Sequence, residues 1–176
     1  MTPIPDPIKS FVGVRILGLD PGLRTTGWGI VDFDRGKLKY VAHGLVTTDA
    51  KDPLAVRLNN LFEGIQKVIT FYGPTCAALE EVFVNANPLS TLKLGMARGA
   101  VLLAPAHAGL EVGEYAPNKV KKSVVGVGHA DKDQMIAMVK LLLPRCPQVT
   151  SDSADALGVA ICHAHHGNFN ARMVGS

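Results

Sequence analysis

The chain has 176 residues, 47% of them apolar and 19% charged, and a formal net charge of +3. That is the profile of one globular domain, long enough to close a core without disulfide or metal staples. It excludes a membrane span, since no apolar run approaches the roughly 20 residues required, and the mild basicity, pI about 8.8, is compatible with an anionic partner without identifying one.

Residues 1–11 carry Pro3, Pro5 and Pro7 among polar residues and read as an extended tail. They lack the basic region, apolar run and small-residue cleavage site of a signal peptide, so a cytoplasmic location is expected. Residues 12–167 then read as a single domain, and 168–176 as a second tail. Strands are predicted at Val12–Asp20, Thr25–Phe33 and Leu38–Val46. Pro21-Gly22 makes the first turn, with Pro21 pre-setting φ and Gly22 accepting φ > 0, and Asp34-Arg35-Gly36 makes the second. Such short links imply an antiparallel meander.

Leu54, Leu58, Leu61, Phe62, Ile65, Val68 and Ile69 recur at helical spacing, which predicts a helix over 53–71 ended by Gly73-Pro74. The run Cys76–Phe83 is an apolar strand interrupted by Glu80 and Glu81. After a crossover helix it should lie parallel to the first strand and be buried on both faces. A helix over 89–108, a strand over 112–115 and a short basic helix over 118–124 follow. Asp131, with Gln134 three residues on, predicts a capping box for a helix to Leu143. Ser151 is expected to cap a last helix, Asp152–His166, with Gly167 as its stop. The fold class is α/β: a mixed five-stranded sheet, antiparallel in its first three strands, flanked by helices. Cys76, Cys146 and Cys162 lie far apart with no CxxC pair, which argues against a disulfide framework or a zinc site and for buried free thiols.

Three places carry acids that a purely structural chain would not need. Asp20 ends the first strand, Glu80 lies near the end of the fourth, and Asp152 and Asp155 open the last helix, three residues apart and so on one face. Taken singly each has a plain reading: a turn acid, a solvated strand end, a partner of the helix dipole. If they meet, like charges raise one another's pKa, and a divalent cation resolves the conflict. Oxygen ligands without Cys or His favour Mg²⁺ or Mn²⁺ over Zn²⁺. The run His163-Ala164-His165-His166 suits the negative end of its helix dipole better than a metal tract; His163 could still support the acids from behind.

Five stretches resemble, in order, the RuvC family of Holliday-junction resolvases, within the ribonuclease H-like superfamily. They are Leu17-Gly18-Leu19-Asp20-Pro21-Gly22 with Thr26-Gly27-Trp28-Gly29, Leu79-Glu80-Glu81-Val82-Phe83, Leu92-Lys93-Leu94-Gly95-Met96-Ala97-Arg98-Gly99, Val120-Lys121-Lys122-Ser123-Val124-Val125-Gly126, and Asp152-Ser153-Ala154-Asp155-Ala156-Leu157. Together they span about residues 14–167. The resemblance implies a ribonuclease H-like fold and a junction-specific endonuclease acting in recombination and DNA repair. It also implies a homodimer working beside a RuvA–RuvB branch-migration motor. It assigns the catalytic and metal-binding roles to Asp20, Glu80, Asp152 and Asp155, choosing Glu80 over Glu81. The implied cofactor is Mg²⁺, two ions per subunit, with Mn²⁺ able to substitute. Phe83 resembles the aromatic that stacks on an unpaired base at the junction centre; as a residue alone it reads as an ordinary core Phe.

The basic residues Arg98, Lys119, Lys121, Lys122 and Lys132 are the candidate DNA contacts. Lys121 and Lys132 match the family positions nearest the scissile phosphate, whereas a lone Lys on a helix is usually a solvated face. The 89–108 helix, with Leu92, Leu94, Met96, Leu102 and Leu103, is the expected dimer surface, although a core role fits the spacing equally. Two other classes remain to be weighed. A branched-DNA binder without activity would keep the lysines but not need four acids. An actin-like phosphotransferase would use Asp-Pro-Gly and Thr-Thr-Gly as a phosphate loop, but no second such loop follows.

Overall fold

The computed structural model describes residues 13–81, 87–167 and 169. Strands β1 (Val14–Asp20), β2 (Thr25–Asp34) and β3 (Lys37–Thr47) are followed by helix α1 (Leu54–Tyr72) and strand β4 (Cys76–Glu80). Helix α2 (Pro88–His107), strand β5 (Glu111–Tyr115) and helices α3 (Pro117–Val125), α4 (Lys132–Leu142) and α5 (Ser151–His166) complete the order. The five strands form one sheet in the order β3-β2-β1-β4-β5. β2 runs antiparallel to both β1 and β3, and β4 is parallel to both β1 and β5. The meander, the parallel fourth strand and the mixed sheet are thus as the sequence predicts, and the described part of β4 stops at Glu80.

Alternation along the strands divides the core in two. Leu17, Leu19, Ile30, Ala77 and Leu79 pack with Leu61 and Ile65 of α1 and with Ala97, Val101 and Ala104 of α2. Ile16, Val31, Cys76, Ala78 and Tyr115 face the other way, onto Val120 and Val124 of α3, Met135 and Val139 of α4, and the buried length of α5. Asp20 shares parity with Ile16 and Gly18, and Glu80 with Cys76 and Ala78. Both acids therefore lie on the α5 side of the sheet.

Helix α5 lies unusually close to that side. A Cβ added at Gly18 would sit 2.1 Å from the carbonyl oxygen of Ala156, and one at Gly27 would sit 2.1 Å from that of Asp152. Gly27 is the register partner of Asp20. The missing side chain at Gly27 is what lets the first turn of α5 settle against the β1 end. Two local expectations need correction. The cap of α5 is Thr150, whose hydroxyl accepts from the Ser153 N–H, while Ser151 is already helical. Gly22 is not among the positive-φ residues; glycine is required there because a Cβ would meet the Thr25 carbonyl oxygen at 2.2 Å. The capping box at Asp131 and Gln134 forms as predicted, and no helix among the described residues is long and apolar enough to cross a membrane.

Candidate active site

The carboxyl ends of β1 and β4 and the N-terminal turn of α5 bring the predicted acids into one another's field. Asp20 and Glu80 lie close enough to hydrogen-bond when one of them is protonated, and the charges of Glu80, Asp155 and Asp152 all act on Asp20. Burial is the largest effect, and with these neighbours it pushes the Asp20 carboxyl up to about 8. Glu80 is pushed up to about 7, first by burial and then by Asp155, with Lys121 and the Asp20 hydrogen bond pulling it back. Asp155 is also raised, by burial and then Asp152, against Lys132 and Lys121. Both carboxyls are thus held above their usual range, and the crowded pair favours keeping a proton between them.

Among the described residues no three His, Cys, Asp or Glu groups are already arranged around a point that could hold a metal. The donor set nevertheless fits a hard divalent cation: oxygen ligands only, carboxyls crowded until one keeps its proton, and two lysines in electrostatic reach. Asp20, Glu80, Asp152 and Asp155 are the side chains that could hold such an ion, whose charge would relieve their mutual repulsion.

The turn that releases Asp20 is closed by Thr26. Its buried hydroxyl donates to the Gly22 carbonyl at 2.8 Å and accepts from the Gly22 N–H at 3.2 Å. A phosphate-cradling loop presents its amide groups to a ligand; here that amide is already engaged. The Pro-Gly turn positions a carboxyl instead.

The predicted DNA contacts divide. Lys121 is half-buried on α3 and faces Glu80 and Asp155, and Lys132 opens α4 within reach of Asp155. Lys119 lies 5.1 Å from the centroid of the Tyr115 ring, and Lys122 is exposed. Arg98 is held by an ion pair with Glu114, so its charge is already matched by a carboxylate on β5. Phe83 lies outside the described residues, as do residues 1–11 and most of 168–176. The thiols of Cys76 and Cys162 are buried; Cys146 is half-buried, its Sγ 3.9 Å from His43 Nδ1. His163 does not join the acids. It is buried, with Nδ1 2.8 Å from the Tyr115 hydroxyl. Sequence reading gave Tyr115 and Glu114 no role, because each partner is distant along the chain; the tight glycine contacts under α5 were equally invisible.

On α2, Leu92, Met96 and Leu103 are exposed together with Leu89, whereas Leu94 and Leu102 are half-buried, Leu102 against the core. The exposed four follow one another at helical three-and-four spacing broken only at Gly99, which is exposed.

Comparison with known proteins gives a consistent set of relatives. A family model described as "Crossover junction endodeoxyribonuclease RuvC" matches residues 16–163. A protein of that name from Paramagnetospirillum magneticum is 61% identical over 87% of this chain and 92% of its own length. One from Bartonella henselae is 53% identical over 92% of this chain and 97% of its own. Among solved structures, Thermus thermophilus RuvC in complex with Holliday junction substrate superposes with a TM-score of 0.79 at 32% identity. The match covers 92% of this chain and 96% of that one. The yeast mitochondrial Holliday junction resolvase Ydc2 shares the fold, with a TM-score of 0.62 at 12% identity over 90% of this chain and 84% of that one.

Proposed function

The chain belongs to the RuvC family, and from that premise we propose that it is a Holliday-junction resolvase. It is a crossover junction endodeoxyribonuclease that hydrolyses phosphodiester bonds in two opposed strands of a four-way DNA junction, in recombination and repair. In this reading residues 12–167 act as one nuclease domain in the cytoplasm, and the cuts leave 5′-phosphate and 3′-hydroxyl ends.

The observation that carries the reading is the convergence of Asp20, Glu80, Asp152 and Asp155 from three separate elements onto one end of the sheet. Burial and mutual repulsion there hold two of the carboxyls near or above neutrality. These four acids would hold Mg²⁺, two ions per subunit. Bound ions of this kind lower the pKa of an attacking water and stabilise the departing oxygen. The remaining work falls to the chain. Asp20 projects from the rigid β1 end, and the Gly22–Thr26 bonds keep its turn closed. Asp152 and Asp155 present one helical face toward it. Lys121 and Lys132, already beside the acids, offer charge for the scissile phosphate, and Lys119 and Lys122 extend that surface. Phe83 would stack on a base at the junction centre, where such stacking contributes roughly 1–3 kcal/mol.

Two equivalent cuts call for two equivalent sites, which a two-fold dimer supplies. The exposed α2 stripe of Leu89, Leu92, Met96 and Leu103 is the surface we assign to it, and RuvA–RuvB is the expected companion. A synthetic four-way junction incubated with protein and Mg²⁺, then resolved on a denaturing gel, tests the function. Paired symmetrical cuts are expected, and tight binding with no cuts would leave only a branched-DNA binder.

A further inference from the structure

Glu80 and the two helix acids reach the site on different elements, and something must fix their separation. Tyr115 touches both supports. It is the register partner of Glu80 across β4 and β5, on the α5 side of the sheet. Its carbonyl accepts from the Glu81 N–H at 2.9 Å, just beyond the end of β4. Its hydroxyl lies 2.8 Å from Nδ1 of His163, which sits about two turns along α5 from Asp155.

Both side chains are buried, Tyr115 at 7% and His163 at 8% exposure. Burial disfavours the charged imidazole, so the contact joins two neutral groups, donor and acceptor following the ring tautomer. The imidazole is also fixed sterically. A Cβ at Gly113, two residues before Tyr115 on the same face of β5, would lie 2.8 Å from both Cε1 and Nδ1 of the ring. The ring of Phe169 meets it edge-on, centroids 5.3 Å apart. Lys119, at the start of α3, lies over the Tyr115 ring. A polar contact enclosed in this way has one geometry and no water to substitute for it.

We infer that the Tyr115–His163 hydrogen bond is a strut that sets the distance between the Glu80 strand end and the Asp152/Asp155 helix, so that Tyr115 and His163 are positioning residues for the divalent-ion site. The inference rests on the reading that the four acids hold that ion. Its consequence is specific. Loosening the strut changes how well the acids converge on an ion, while the basic surface that meets DNA stays in place.

The test uses Mn²⁺ alone as the probe, titrated into the full-length protein without DNA and followed by electron paramagnetic resonance. Junction affinity is measured in parallel in EDTA. Tyr115→Phe and His163→Phe should each weaken Mn²⁺ binding about fivefold, the equivalent of one net hydrogen bond. Junction affinity in EDTA should remain at the wild-type value, and saturating Mg²⁺ should restore cleavage. His163→Gln, which retains an acceptor, should recover most of the lost Mn²⁺ affinity. The double variant Tyr115→Phe with His163→Phe should be no worse than either single change. Wild-type Mn²⁺ affinity in Tyr115→Phe, or equal loss in His163→Gln and His163→Phe, would overturn the strut. If Tyr115→Phe does not fold, the two His163 variants decide the matter. Asp20→Asn separates the two levels: if it loses Mn²⁺ while Tyr115→Phe keeps it, the strut fails and the acid site stands. If Asp20→Asn also keeps wild-type Mn²⁺ affinity, the acid site itself is wrong.

Discussion

Strand β1 carries a charged group at each end of its pairing with β2, and the two ends are treated in opposite ways. Near the start, Arg15 lies opposite Asp32. The guanidinium grips that buried carboxylate with Nε at 2.7 Å and a second nitrogen at 3.0 Å, and also donates to the Tyr72 carbonyl at 2.9 Å. At the far end Asp20 lies opposite a glycine, and every charge that bears on it is another acid. The first arrangement is complete within the chain, whereas the second, in the proposed function, is completed by a bound ion. A buried acid with its own cation stabilises the fold, and a buried acid surrounded by acids costs stability until a cation arrives.

The largest effect should come from the unfinished end. Asp20→Asn should reduce cleavage of a four-way junction in Mg²⁺ to background while leaving junction binding intact. Gel assays run in parallel check both, and full cleavage by this variant would break the comparison. At the finished end the damage should be to stability. Asp32→Asn leaves Arg15 with a poorer partner and should cost about 2 kcal/mol in urea unfolding, with the rate per folded molecule unchanged. A large loss of cleavage without loss of stability would mean the Arg15–Asp32 pair belongs to the site after all.

A third effect is on pH dependence. An acid whose pKa is raised by folding favours the folded state below its unfolded value of about 4. That contribution is lost as pH rises through the folded value, here about 7 for Glu80 and about 8 for Asp20. In EDTA, the midpoint of thermal unfolding should therefore decline between about pH 5 and pH 9. Asp20→Asn should flatten that decline. The smallest effect is expected at the DNA surface. Lys121→Ala should weaken junction binding severalfold and reduce the slope of log affinity against log salt by about one. An unchanged slope would remove Lys121 from the phosphate contacts.

The same contrast explains what the sequence reveals. Asp20, Asp152 and Asp155 are legible because each breaks a local pattern, an acid at the end of an apolar strand or a pair on one face of a helix, whereas Glu80 stands out only together with Glu81 and is chosen by the family resemblance. The meander, the parallel strand and the Asp131 capping box are legible because turn chemistry and apolar periodicity are local. The Arg15–Asp32 pair, the Arg98–Glu114 pair and the Tyr115–His163 contact are not, since each joins residues separated by at least a full strand and becomes visible only when the sheet is assembled. Arg98 is an example: its motif and charge suggest DNA, while the carboxylate that pairs with it in the fold, Glu114, comes from β5. Gly18 and Gly27 are readable as glycines, but their use, admitting α5 to the sheet, depends on a helix far along the chain. The four acids converge through that close approach.

The central claim is that the acids around Asp20 are held in mutual conflict to receive a divalent ion. The most direct measurement is thermal unfolding of the wild type and Asp20→Asn at pH 8, each in EDTA and in saturating Mg²⁺. Without the ion, Asp20→Asn should be the more stable of the two, because it removes a buried acid that its neighbours oppose. With Mg²⁺ the wild type should gain most and the order should narrow or reverse. A wild type indifferent to Mg²⁺, together with an Asp20→Asn variant less stable in EDTA, would contradict the account.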